Sequence, residues 1–135
     1  MTIDMIVDLF AMERHPSAGW YSLHYSDNEI LGRPKLSSIY FLISGKEPLP
    51  FHKLDAIEVW HHHLGAPAQI EVSNGVGPRE INILGPDLAA GQRPQLAIPA
   101  FFWQSIHSLG PWSLLGCTMS PGYSPQTSVV LNSDT

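Results

Sequence analysis

An all-β barrel or sandwich preceded by one short helix is the fold class that this 135-residue sequence predicts, on three observations. Apolar residues recur at helical spacing only at the start. Gly and Pro, 11 and 12 in number, then punctuate the chain every several residues. The segments between them are short and rich in aromatic and β-branched side chains. At this length about two-thirds of the unfolded surface can be buried, which suits one core. No repeat, low-complexity tract or linker interrupts the chain, so residues 1–135 read as a single domain. The helix lies within 1–14, the barrel spans 19–123, and 124–135 form a polar, proline-interrupted tail suited to fraying or to an interface.

Ile3, Ile6, Val7 and Phe10 share one face of the opening helix, with Thr2 as its N-cap and Asp4 in its first turn. It ends before Pro16. Strands are expected at Gly19–Tyr25, Ser37–Ile43, Phe51–Leu54, Glu58–Leu64, Gln69–Val72, Glu80–Leu84, Gln95–Ile98, Phe102–His107 and Ser113–Met119. Asn74-Gly75 signals a hairpin turn between the fifth and sixth of these.

Lys and Arg total 7 against 12 acidic residues, so no basic stripe is available for a phosphate backbone and nucleic acid is excluded as a partner. The single cysteine, Cys117, excludes an internal disulfide framework and has no second Cys for a thiolate metal site; its expected use is as a small buried hydrophobe. Asp4, Asp8, Glu13 and Arg14 interrupt the N-terminal apolar residues, unlike a signal peptide, and no stretch is long enough to span a membrane. A soluble, cytoplasmic protein is the expectation.

His52, His61, His62 and His63 fall close together beside Glu58 and Trp60. Strand alternation puts Glu58, Trp60 and His62 on one face and Val59, His61 and His63 on the other, so only one set lines an interior. On the inner face Glu58 would sit among aromatic rings, where desolvation raises a carboxyl pKa toward the range useful for proton transfer. Imidazole and carboxylate on adjacent strands also suit a metal, and the alternative to both is a partly exposed polar strand face.

The run from Gly45 to Gly65, with His52-Lys53-Leu54, then Glu58, resembles the first motif of the cupins; Gly91, Pro99-Ala100-Phe101 and Gln104 resemble the second. Further ordered motifs resemble the domain of unknown function 985 (Cupin_5) branch, similar in fold to RmlC-like epimerases: His15-Pro16 with Gly19, Ser38-Ile39-Tyr40-Phe41-Leu42, Glu58-Val59-Trp60-His61, Leu84-Gly85 and Gly116-Cys117-Thr118. The resemblance runs from about Leu9 to Tyr123. It implies a cupin jelly-roll barrel that pairs as a homodimer through its sheet edges. Two of the four usual metal-ligand positions hold Leu54 and Gln104, so no metal cofactor is expected; a divalent metal on His52, Glu58 and His62 is the alternative. Ser17, Ser22 and Leu23 replace charged residues of the branch, Ile57 an aspartate and Phe51 a tryptophan, which implies a more apolar pocket.

These features point to a metal-independent isomerase or cyclase acting on an apolar intermediate of secondary metabolism. Glu58, His52 and His24 are the candidate proton carriers, and Tyr40 or Gln104 the carbonyl donors. Trp20, Tyr21, Ser22, Tyr25, Phe51, Trp60, His62, Phe102, Trp103 and Gln104 are the candidate substrate contacts. A metal-dependent oxygenase or lyase and a non-catalytic binding module are the other readings.

Overall fold

A computed structural model describes residues 1–27, 29–30, 32–123 and 131–132 of the chain. The opening helix is α1 (Ile3–Leu9), and the Thr2 hydroxyl caps it by accepting from the Met5 amide at 3.2 Å. It ends in a Schellman turn, in which the Met12 amide donates to the Val7 carbonyl at 2.9 Å and the Ala11 amide to the Asp8 carbonyl at 3.3 Å. Ala11 takes the left-handed conformation of that turn at φ 51°.

The strands are β1 (Glu13–Arg14), β2 (Trp20–Ser26), β3 (Glu29–Ile30), β4 (Arg33–Pro34), β5 (Ser37–Ser44), β6 (Leu49–Lys53), β7 (Ile57–Gly65), β8 (Ala68–Ser73), β9 (Glu80–Leu84), β10 (Gln95–Ile98), β11 (Trp103–Ser108), β12 (Trp112–Ser120) and β13 (Leu131–Asn132). Every expected strand is present, with bounds within a residue or two. The sequence reading missed the four two-residue strands and a 3-10 turn at Leu88–Ala90, which are too short to show periodicity. β13 lies in the expected tail and pairs with β6; residues 124–130 and 133–135 of that tail lie outside the described residues. The Asn74 side chain does organise a hairpin, accepting from the amides of Val76 and Gly77 at 3.0 and 2.9 Å. The loop from β8 to β9 is nevertheless longer than the two-residue turn that Asn-Gly signals.

Two antiparallel sheets face each other, one ordered β1-β2-β5-β12-β7-β10 and the other β13-β6-β11-β8-β9, while β3 and β4 form a separate hairpin. Phe41, Ile43, Trp60, Ile70, Ile106 and Leu115 fill the space between the sheets. Leu42 and Leu114, of opposite parity, point outward and pack with Ile6 and Met12 beneath α1. The six-stranded sheet is therefore covered on both faces where the helix crosses it. No helix among the described residues is long and apolar enough to cross a membrane.

Three register shifts decide which side chains reach the interior. Along β6 and β11, Gln104 pairs with His52 and Ile106 with Leu49, so β6 carries one extra residue and both Leu49 and His52 face inward. Along β2 and β5 the shift falls between Leu23 and Tyr25, with His24 as the surplus residue. Along β7 and β12 it falls at Leu114 and Leu115, with His63 as the surplus residue on β7.

Candidate active site

A cavity of about 780 Å³ opens between the sheets. β5 contributes Ile39 and Phe41 to its wall, β6 contributes Leu49 and His52, β7 contributes Glu58 and Trp60, and β12 contributes Cys117 and Met119. The β7 and β12 groups arrive together because Trp60 pairs with Cys117 and Glu58 with Met119, and opposed residues share a face. The His15–Ser17 loop and Tyr21 complete the wall near the end of α1.

Glu58 is 5% exposed and both its oxygens have protein donors. The Gln104 side-chain amide donates to Oε1, and the Cys117 thiol donates to Oε2 at 3.2 Å. Gln104 is oriented in turn by Trp60, whose indole N–H donates to its Oε1 at 2.8 Å, leaving only its amide group for Glu58. The two Gln104 bonds join the sheets across the interior. Burial pushes the Glu58 carboxyl above its ordinary range, against the opposing effects of nearby His52 and of the Cys117 and Gln104 donors. Burial, and then the adjacent Glu58, push the Cys117 thiol well up, so it is a protonated hydrogen-bond donor and not a thiolate nucleophile.

Two histidines on the cavity wall have ring states set by the backbone. His52 Nδ1 meets the Pro50 carbonyl at 2.9 Å; a carbonyl only accepts, so Nδ1 carries hydrogen. His15 Nδ1 accepts from the Ser17 amide at 3.1 Å, so in the neutral ring the hydrogen is on Nε2. Burial, then the charges of His52 and Arg14, lower the His15 pKa and favour that neutral ring. The His15 loop is fixed at its base: the His15 amide donates to the Gly19 carbonyl at 2.8 Å, and the Gly19 amide to Glu47, which also pairs with Arg14. Gly19 has φ +78°, and a Cβ there would stand 2.5 Å from the Leu42 carbonyl oxygen, so the loop can lie this close to β5 only with glycine.

Of the residues singled out in the sequence, Glu58, His52, Tyr21, Ser22 and Trp60 line the cavity, and Gln104 stands behind Glu58 with 1% exposure. Ser17 and Leu23, which replace charged residues of the branch, line it with Ser22. The others lie elsewhere. Tyr40 and His24 are on the outer face of the six-stranded sheet, their rings 5.5 Å apart and Tyr40 4.7 Å from Phe10, because Tyr40 has the parity opposite to Phe41 and His24 is the surplus residue of β2. Trp20 packs in the layer beneath α1. The β6 bulge that brings His52 inward leaves Phe51 off the cavity wall, under the Arg79 guanidinium at 4.2 Å. Trp103, adjacent to inward-facing Gln104, lies against the Lys53 ammonium at 4.9 Å. Phe102 packs on the core beside the barrel, Tyr25 is 53% exposed, and Ile57 is exposed too.

His62 shares the parity of Glu58 but is four residues farther along β7, roughly 13 Å at strand rise. There its Nε2 donates to the Ala66 carbonyl at 3.1 Å, beside Ser113, which bonds the same oxygen at 2.6 Å. The cupin metal positions therefore hold His52, Leu54, Glu58 and Gln104; Leu54 offers no donor atom, and the Gln104 oxygen is already taken by the Trp60 indole. Among the described residues no three His, Cys, Asp or Glu are arranged to hold a metal ion. The residues present do not fit the metal that the fold family implies.

The sequence reading missed the Cys117–Glu58 contact and the place of His15. No sequence signal marked the first, which depends on the pairing of β7 with β12; the His15-Pro16 motif with Gly19 was the signal for the second.

No curated protein matches this chain. Among solved structures, protein SO0799 from Shewanella oneidensis is similar with a TM-score of 0.90 and 31% identity, over 97% of this chain and 85% of that one. A hypothetical protein from Leishmania major is similar with a TM-score of 0.86 and 20% identity, over 96% and 86%. Oxalate decarboxylase from Bacillus subtilis shares the fold at a TM-score of 0.68 and 15% identity, over 90% of this chain and 31% of that one. Residues 4–130 match the family described as Cupin superfamily (DUF985). With its two facing antiparallel sheets, its interior cavity and a match over nearly its whole length, the chain belongs to the Cupin_5 family of the cupin superfamily.

Proposed function

We propose that this chain is a small-molecule enzyme, a metal-independent isomerase or cyclase that moves a proton on an apolar carbonyl compound, with Glu58 as the acid/base. The observation that carries this reading is a buried carboxyl on the wall of a drug-sized cavity, held by Gln104 and Cys117 and with its pKa raised by burial. Glu58 takes a proton from the carbon beside the carbonyl and returns it at a second position or after ring closure. Phe41, Leu49 and Met119 exclude water and fold the substrate against it. The replacement of charged family positions by Ser17 and Leu23 on the same wall favours an apolar substrate. The likeness to oxalate decarboxylase supports the barrel and not its reaction, because chemistry belongs to the site.

The test is incorporation of deuterium from D₂O into an enolisable apolar ketone, deoxybenzoin, followed by mass spectrometry. Wild-type protein is expected to accelerate exchange, and Glu58→Gln to lose about 100- to 10,000-fold of that acceleration. Full exchange by Glu58→Gln would remove Glu58 from the role. Binding without exchange by the wild type would favour the non-catalytic module.

A further inference from the structure

The proton carrier does not say what holds the carbonyl. Tyr40 lies outside the barrel and the Gln104 amide is committed to Glu58, so neither is free for that task. The two cavity histidines are. The Ser17 amide fixes His15 as a ring whose Nε2 donates, and the Pro50 carbonyl fixes His52 as a ring whose Nε2, when neutral, accepts. Among the described residues neither Nε2 has a protein partner, and no buried side-chain nitrogen or oxygen is left without one, so both atoms keep some exposure, on two residues that line the cavity. The two rings are near enough for the charge of one to bear on the other, and His52 bears likewise on Glu58. His15 and Glu58 lie on the six-stranded side of the cavity and His52 on the facing sheet, all three lining the same space.

We propose that His15 and His52 are a matched donor and acceptor pair that selects an apolar α-hydroxyketone, His15 donating to the ketone oxygen and His52 accepting from the neighbouring hydroxyl. This rests on the cavity being the ligand site, as in the proposed function, but not on turnover. An apolar wall makes the pairing selective. A ligand lacking either group leaves one imidazole nitrogen desolvated without a partner, whereas a ligand with both satisfies the pair.

The probes are benzoin, deoxybenzoin, which lacks the hydroxyl, and 1,2-diphenylethanol, which lacks the ketone. Affinities are measured by titration calorimetry at pH 8. Wild-type protein is expected to prefer benzoin over each of the other two by roughly tenfold, the worth of one satisfied hydrogen bond. His52→Phe should lose the preference over deoxybenzoin and keep that over 1,2-diphenylethanol; His15→Phe should do the reverse. Unchanged preferences in either variant, or no saturable binding of benzoin, would overturn the proposal. Should a variant fail to fold, long-range proton–nitrogen NMR of the wild type decides: hydrogen on His15 Nε2 and His52 Nδ1 supports the pair, and the opposite tautomer at either ring overturns it. The crossover can be read in Glu58→Gln protein as well. A crossover without exchange would count against the enzyme reading alone, and exchange without a crossover against this pair alone.

Discussion

Glu58 is held in the folded chain at a cost that its own protonation relieves. Burial raises its pKa, so the folded state keeps a proton that the unfolded chain releases once pH exceeds the ordinary glutamate value. Above that value the unfolded chain binds fewer protons than the folded one, and stability falls with rising pH until the folded carboxyl also ionises. Glu58→Gln removes this dependence while keeping an acceptor for the Gln104 amide. The variant is therefore expected to melt higher than wild type at about pH 8, with the difference closing near about pH 4, where both states of the wild type approach protonation. Thermal melts across that range check it, and a variant that melts lower at both ends would contradict the burial argument. Reduced activity with increased stability is the usual mark of a group retained for its chemistry. At this scale the sequence was readable where parity was regular. Glu58 and Trp60 alternate inward as their strand requires, whereas His24 and Tyr40 could be placed only by knowing the register of β2 against β5.

Among the elements, α1 shows most plainly how local rules and packing combine. Its cap at Thr2 and its apolar face at Ile6 and Val7 follow from sequence alone, and the face is buried against Leu42 and Leu114. Its end is less regular, because the Schellman turn puts Ala11, and not glycine, at a positive φ. Ala11→Gly should relieve that conformation and stabilise the protein by about 1 kcal/mol, roughly 3 °C in melting temperature, as measured by circular dichroism. The nine longer strands were legible because aromatic and β-branched runs end at Gly or Pro. Gly116 was legible only as a motif residue; in the structure it makes room on the outer face, where a Cβ would stand 2.5 Å from His63 Nε2. Such a close approach is a tertiary fact, and the spacing of residues within one strand carries no trace of it.

Across the whole molecule, segments far apart in sequence are fastened by Arg33. Its guanidinium forms a two-pronged pair with Asp55 at 2.8 and 2.9 Å, and its Nε donates to the Gly122 carbonyl at 2.7 Å. One side chain therefore joins the β3–β4 hairpin, the β6–β7 connection and the chain leaving β12. The pair is largely buried, with side-chain exposures of 14% and 16%, so water replaces it poorly. Arg33→Met should cost about 2 kcal/mol, lowering the melting temperature by roughly 7 °C; an unchanged melting temperature would show that the backbone pairings suffice. The barrel itself was legible from punctuation and motif order, but its closing contacts were not, because Arg33 and Asp55 belong to no periodic pattern.

The surplus residue in β6 has one more consequence. Because Leu49 and His52 are three positions apart, both face inward only while β6 carries its bulge, and the cavity depends on strand register as well as on residue identity. Were the bulge smoothed out with every residue kept, Phe51 and not His52 would stand opposite Gln104, and a benzyl ring would replace the imidazole at the wall. A slip of one strand's register would thus change which ligands a barrel of this kind admits, with no change of sequence at all.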